Sequence, residues 1–336
     1  MLKNNMLLTR VSSFASKYSI LVVLAAVFII SCVMNPNFLS GVNLTNILRQ
    51  NAVVVILAFG ETMLIISGMI DLSSGAVIAF TGCFSIWVFK LTNNIMLAFT
   101  AGLALAIAFN TVSGLLVSRF KTPPFIATLA ITTIARGSVL LFTRGADIYQ
   151  IGKFSVFGQG NLWFIPVPII FMFAMFLFTW YTLNHTRFGR SLYAIGGNEE
   201  AAIASGINVN RVKFLCYVLN GFLVGLAGII FMSRINAGIP GSGSGYEMEA
   251  LTAAIIGGTS FSGGVGSAVG TLAGAFIVGI INNIMNLTGI NPYVQQIIKG
   301  VIIVLAVILD LRAKNRRLVV KELPAPESQR VDSVNQ

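Results

Sequence analysis

GETMLIISGMIDLSSG, residues 60–75, places two carboxylates, Glu61 and Asp71, in or beside an otherwise apolar run. A carboxylate in hydrocarbon is costly, so such a residue lines a path, caps a helix end or sits at the membrane edge. Gly68 weakens a helix here, and Ser73 and Ser74 precede a fresh apolar run. The stretch reads as helix, break, helix. Asp71 has two readings. It accepts backbone N–H groups at the positive end of the second helix, or it belongs to a broken-helix site on a transport path. Glu61 lies nearer the middle of its span, where lipid exposure is disfavoured. It faces a pathway or an internal hydrogen bond, with an edge position as the alternative.

The rest of the chain makes lipid its solvent. Of 336 residues, 56% are hydrophobic and only 10% charged, against roughly 25% charged in soluble domains. The mean hydropathy is +0.85. The net charge of +11 does not indicate nucleic acid, because the basic residues flank apolar runs and form no stripe interleaved with aromatics. Cys32, Cys83 and Cys216 lie in apolar runs without CxxC spacing and read as small hydrophobes. His185, the lone histidine, lacks partners for a metal and reads as a membrane-edge residue. Lys3, Arg10 and Lys17 precede an apolar run that ends at Asn35-Pro36 with no A-x-A-like site, so this run is expected to be a retained span.

A spanning helix needs about 20 mostly apolar residues. Candidate spans are 18–34, 51–69, 74–89, 94–116, 125–142, 166–183, 214–233, 250–260, 266–286 and 294–311. The fold class is therefore all-α: a polytopic membrane protein of about ten transmembrane helices, some broken at Gly/Ser-rich segments. Residues 1–311 form one transmembrane domain, and 312–336 form a basic, then disordered, tail. With the N-terminus inside, fifteen basic residues fall on inner segments: Lys3, Arg10, Lys17, Arg119, Lys121, Arg187, Arg190, Arg211, Lys213 and the six of the tail. Five fall outside: Arg49, Lys90, Arg144, Lys153 and Arg234. That bias places both termini in the cytoplasm. In the outer loop 143–165, Tyr149, Phe154, Phe157, Trp163 and Phe164 suit an interfacial belt. Residues 60–82 and 250–274 share a form, an apolar half, a Gly/Ser break and a small-residue helix, which suggests an internal repeat.

Soluble-type catalysis finds no support: there is no nucleophile elbow, no metal-ligand pattern, and no phosphate-cradling loop ahead of Gly152-Lys153. Arg136 and Lys299 are intramembrane cations that either snorkel or pair with a carboxylate, snorkelling being favoured at Lys299. Asn110, Asn220, Asn282 and Asn283 are placed to bond between helices, and some to meet a polyol. The inner loop 184–213 is the most informative. Gly196-Gly197 permits a sharp turn, Asn198 caps, Glu199 and Glu200 suit a first helical turn, and Gly206 ends a short alanine-rich helix. Such a helix suits docking into a cleft of another protein; an ordinary amphipathic loop helix is the plainer alternative.

Within that loop, E-A-A-x-x-x-G (200–206) resembles the coupling motif of ABC importer permeases. HTRFGRSLYAIGGNEEAAIASGINVNRVK (185–213), ISGMIDLSSGAV (66–77), FKTPPFIATLA (120–130), GSGYEMEALTAAIIGGTSFSGGVG (243–266) and YVQQIIKGVIIVLAV (293–307) are similar to the bacterial monosaccharide permeases of ribose, xylose and arabinose type. The resemblance implies a bacterial inner-membrane subunit, not itself an enzyme. A second permease chain (a homodimer), a cytoplasmic ATPase and an extracytoplasmic sugar-binding protein are implied partners, alongside membrane lipid. No cofactor is implied for this chain; ATP and Mg serve the ATPase. The expected coupling residues are Arg187, Arg190, Gly196, Gly197, Asn198, Glu199, Glu200, Ala201, Ala202 and Gly206. The expected substrate pathway comprises Glu61, Ser67, Asp71, Ser73, Asn110, Phe125, Thr128, Glu247, Glu249 and Thr259. Glu61, Met69 and Glu249 depart from the family pattern, which makes Glu61 a candidate specificity determinant. The rival readings are an ion-coupled secondary transporter of a small polar solute and an ABC permease for branched-chain amino acids.

Overall fold

The computed structural model describes residues 19–322. Lys3, Arg10, Lys17, and the polar end from 323, where disorder is expected, lie outside the described residues. The ten apolar segments all fall on helices. These are α1 (Ser19–Met34), α2 (Gly41–Ile66), α3 (Ser74–Thr92), α4 (Ile95–Ser118), α5 (Pro124–Thr143), α7 (Val167–His185), α10 (Val209–Ile235), α11 (Tyr246–Ile256), α12 (Ala268–Leu287) and α13 (Pro292–Glu322). Short helices α6 (Val156–Gln159), α8 (Arg187–Gly197) and α9 (Glu199–Ala204) connect them. A two-residue hairpin pairs Asn161 with Pro166.

Among the described residues, seven helices are long and apolar enough to cross a membrane: α2 to α5, α7, α10 and α12. The chain is a multi-pass membrane protein. α1 and the apolar part of α13 are shorter, and α11 has only 11 residues. At 1.5 Å per residue α11 rises about 16 Å, roughly half a hydrocarbon core. The eighth expected span is thus a half-helix, and α13 continues through the basic stretch that was expected to begin the tail.

α2 and α10 form the centre. α2 is buried from Asn51 to Ile66 and packs on α7, α10, α11 and α12. α10 packs on α3, α4 and α2. Lipid offers no hydrophobic drive between helices, so close backbone approach and interhelical hydrogen bonds of about 0.6 kcal/mol each hold such a bundle. Two amide–amide pairs and one amide–carboxylate pair supply these bonds. Asn220 Nδ2 donates to Asn110 Oδ1 at 2.9 Å, Asn43 and Asn283 exchange bonds of 3.1 and 2.8 Å, and Asn282 Nδ2 donates to Glu249 Oε1 at 3.2 Å. The outer helices α1, α4, α5, α7 and α13 expose large apolar side chains, among them Val33, Leu141, Phe173 and Ile297. That surface suits hydrocarbon.

The two suspected repeat segments break in the same way. After α2, Gly68 takes φ +76°; its N–H donates to Ile65 O, and Met69 N–H to Leu64 O. After α11, Gly258 takes φ +85°; its N–H donates to Ile255 O, and Thr259 N–H to Ala254 O. Both are glycine-terminated helix ends in which the left-handed residue satisfies the last carbonyls. A 2.6 Å bond between Thr62 Oγ1 and Thr271 Oγ1 ties the first half of one unit to the second half of the other.

The loop 143–165 departs from the expected belt. Tyr149, Trp163 and Phe164 are exposed, but Phe154 is fully buried against Phe89 and Phe157. Ser233 Oγ donates to its carbonyl at 2.8 Å, so this part of the loop is core rather than interface.

Candidate functional site

The structure gathers most of the expected pathway residues in two places. The first is a closed polar knot at the break after α2. Asp71 is fully buried. Its Oδ1 accepts the Ser73 N–H at 2.8 Å and the Ser73 hydroxyl at 2.5 Å. Its Oδ2 accepts Asn220 Nδ2 at 2.8 Å, which links on to Asn110. Tyr217 OH donates to Ile70 O at 2.9 Å, and Thr132 Oγ1 to Leu72 O at 2.9 Å. Asp71 therefore fixes the entry to α3 from a turn rather than capping the first helical amides. Glu61 sits beside it: Oε2 accepts the Asp71 N–H at 3.3 Å, while Oε1 has no partner among the described residues. Ser67 Oγ bonds back to Leu64 O at 2.8 Å, and Thr128 Oγ1 to Pro124 O at 2.9 Å. Phe125 is more than half exposed. Thr259, at the second break, is buried, and its Oγ1 has no partner among the described residues.

The second place is open. A cavity of about 470 Å³ lies between α11, α12 and α13. Glu247 and Glu249 from α11, Asn282 from α12, and Gln296 and Lys299 from α13 line it, together with aliphatic side chains. Lys299 Nζ meets Glu249 Oε1 at 2.6 Å, so Lys299 pairs rather than snorkels. Both Glu247 oxygens accept the Gly245 N–H at 3.1 Å. None of Glu61, Asp71 and Asn110 is among the residues lining this cavity. Arg136 forms no ion pair with a carboxylate among the described residues: its Nη1 donates to Pro240 O at 2.8 Å and to Ser242 O at 2.7 Å. It thereby holds the loop that leads into α11.

The third element is the α8–α9 unit. Thr186 caps α8 through the Gly189 N–H at 3.0 Å, and Asn198 caps α9 through the Ala201 N–H at 2.9 Å. Glu199 pairs with Lys213 at 2.7 Å. Arg187, Arg190, Gly197, Asn198, Glu200, Ala201 and Gly206 are exposed, and Ala202 is buried under the unit. Gly196 lies against the end of α2. A Cβ there would sit 1.8 Å from Ile66 O and 2.5 Å from Gly264 N, so only glycine fits. Gly264 N–H donates to the same Ile66 carbonyl at 2.8 Å. Tyr193 OH donates to Gly266 O at 2.8 Å, and burial pushes its phenol up, which keeps the donor proton in place. The unit is thus seated on both breaks at once.

Sequence reasoning missed Gln296, Tyr193 and Tyr217 as members of these sites. Gln296 was within reach, since it precedes Lys299 by three residues and shares its helix face. The two tyrosines carried no such local signal.

These features define a membrane permease with an exposed helical hook at the base of two interrupted helices. The chain matches the family model for the permease component of branched-chain amino acid transport systems over residues 43–307. It is 42% identical to the ribose import permease of Escherichia coli K12 over 297 residues, 87% of this chain and 92% of that protein. The ribose import permease of Bacillus subtilis 168 is 44% identical over 285 residues, covering 84% and 88%. The L-arabinose transport permease of Escherichia coli K12 is 35% identical over 305 residues, covering 90% and 93%. No solved structure matches the chain. The chain belongs to this permease family of ABC importers, as a transport subunit rather than an enzyme.

Proposed function

We propose that this chain carries a simple sugar, a ribose-like pentose, a hexose or a related polyol, into the cytoplasm by alternating access. A separate ATPase, using ATP and Mg, supplies the work, and an extracytoplasmic binding protein delivers the sugar. Two copies of the chain form the membrane unit, with both termini in the cytoplasm of a bacterial inner membrane, in keeping with the basic-residue bias.

The observation that carries this reading is the seating of α8–α9. The exposed, acidic, Asn-capped α9 docks with the ATPase, and Gly196 passes its displacement to the Ile66 carbonyl at the first break and, through Gly264, to the second. The sugar class is supported by relatives named for ribose and arabinose. The family description names branched-chain amino acids instead, so leucine is the substrate of the second reading.

Co-expression with candidate ATPase and binding-protein chains, followed by ATP hydrolysis and uptake in proteoliposomes, tests both. Ribose-type sugars are expected to stimulate hydrolysis and leucine not to; leucine-driven uptake reverses the assignment. Glu200→Arg is expected to leave membrane insertion intact and to abolish copurification of the ATPase. Normal copurification would remove α9 from the coupling role.

A further inference from the structure

We infer that the cavity between α11, α12 and α13 is a transit subsite for a neutral polyhydroxylated solute, with Glu249, Asn282, Gln296 and Lys299 as the groups that meet its hydroxyls. This rests on the sugar-importer reading and gives that reading a location.

Polar side chains at membrane depth are expensive and mark pathways when they face a water-filled space. Here they converge on about 470 Å³, within the range of small-molecule sites. Their bonding is incomplete on the cavity side. Glu249 Oε1 takes both Lys299 Nζ and Asn282 Nδ2. Among the described residues, no donor reaches Glu249 Oε2, no donor reaches Asn282 Oδ1, and the Gln296 amide has no partner. The lining therefore offers a carboxylate oxygen, an amide oxygen, a whole amide and the spare N–H groups of an ammonium. A hydroxyl both donates and accepts, and this mixed set satisfies both functions.

Charge selects against other classes. The Glu249–Lys299 pair is already closed at 2.6 Å, which leaves no unpaired cation for an inorganic anion, and Glu247, the other carboxylate in the wall, is engaged by the Gly245 N–H. A zwitterionic amino acid would have to break that pair to engage both halves. A sugar bonds to the outer faces of the pair without opening it. Apolar Met248, Val278 and Ile281 complete the wall, which suits the C–H face of a sugar ring. The groups are dispersed, so release stays easy and the subsite is weak.

The test uses the complete transporter in proteoliposomes, with binding protein saturated by ribose. Gln296→Leu keeps the volume of an exposed side chain that makes no hydrogen bond among the described residues, so folding is expected to be unaffected. Asn282→Leu is the second variant. Both are expected to lower ribose uptake per ATP hydrolysed by about tenfold, equivalent to about 1.4 kcal/mol, with ATPase copurification and ATP hydrolysis unchanged. Discrimination between sugars that differ at one hydroxyl is expected to shrink in parallel. Unchanged uptake and selectivity in both variants overturns the subsite while leaving the importer reading intact. Absence of uptake of any sugar by the unsubstituted protein overturns both. Leucine uptake that depends on Gln296 and Asn282 overturns the polyol assignment in favour of a zwitterion.

Discussion

The Asp71 knot and the Glu249 cavity use the same chemical groups to opposite ends. Each holds two carboxylates and at least one asparagine at membrane depth. In the knot the carboxylate of Asp71 is fully engaged by Ser73 and Asn220, and Glu61, Ser73, Asn110, Tyr217 and Asn220 around it are all buried. In the cavity Glu249 is half-buried and bonds on one side only. The difference lies in the neighbours. α2 and α10 enclose Asp71, whereas the short α11 leaves a gap that α13 only partly closes. A charged residue inside a membrane protein is therefore a fastener where helices surround it completely, and available to a solute where one helix is cut short.

That contrast can be broken most severely at Asp71. Asp71→Ala strands the Ser73 and Asn220 donors in a dry site, with an expected loss of about 3 kcal/mol or more; thermal unfolding in detergent reads it, and native-like stability would show that the knot is not a fastener. Next comes Lys299→Met, which leaves Glu249 facing the cavity without its cation. Because the pair is partly exposed, the expected loss is only about 1–2 kcal/mol. Adding Glu249→Gln is expected to restore stability but not sugar uptake. Recovery of uptake in the double variant would make the pair purely structural. Third is Gly196→Ala. Here the protein and its ATPase are expected to copurify while ATP-driven uptake falls by at least tenfold, since the added methyl pushes α8 off Ile66; full uptake would remove Gly196 from the force path. The smallest expected effect is at Glu61. Its Oε1 is already unpartnered, so Glu61→Gln is expected to shift stability by under about 1 kcal/mol and to leave uptake alone. A changed sugar preference would move Glu61 from the fastener side of the comparison to the path.

Much of the architecture was legible in the sequence, because apolar runs of membrane length, the Gly68 break and the Asn198 cap are local signals. The half-length α11 was suggested by the glycines that follow it. The division between knot and cavity was not legible. It depends on Asn220 meeting Asp71 and on Lys299 meeting Glu249, contacts 149 and 50 residues apart. The partners of Arg136 were hidden for a similar reason: they are backbone carbonyls of Pro240 and Ser242, and carbonyls leave no mark in composition. Phe154 looked like its aromatic neighbours in the loop, and only the shape of the core separates it from Trp163.

The carbonyl of Ile66 is shared: Gly264 donates to it and Gly196 rests on it. Three chain segments far apart in sequence thus pivot on one oxygen atom. A wedge driven in at that spot, by a small inhibitor or an engineered cross-link, would stall both halves of the molecule together without ever entering the solute's route.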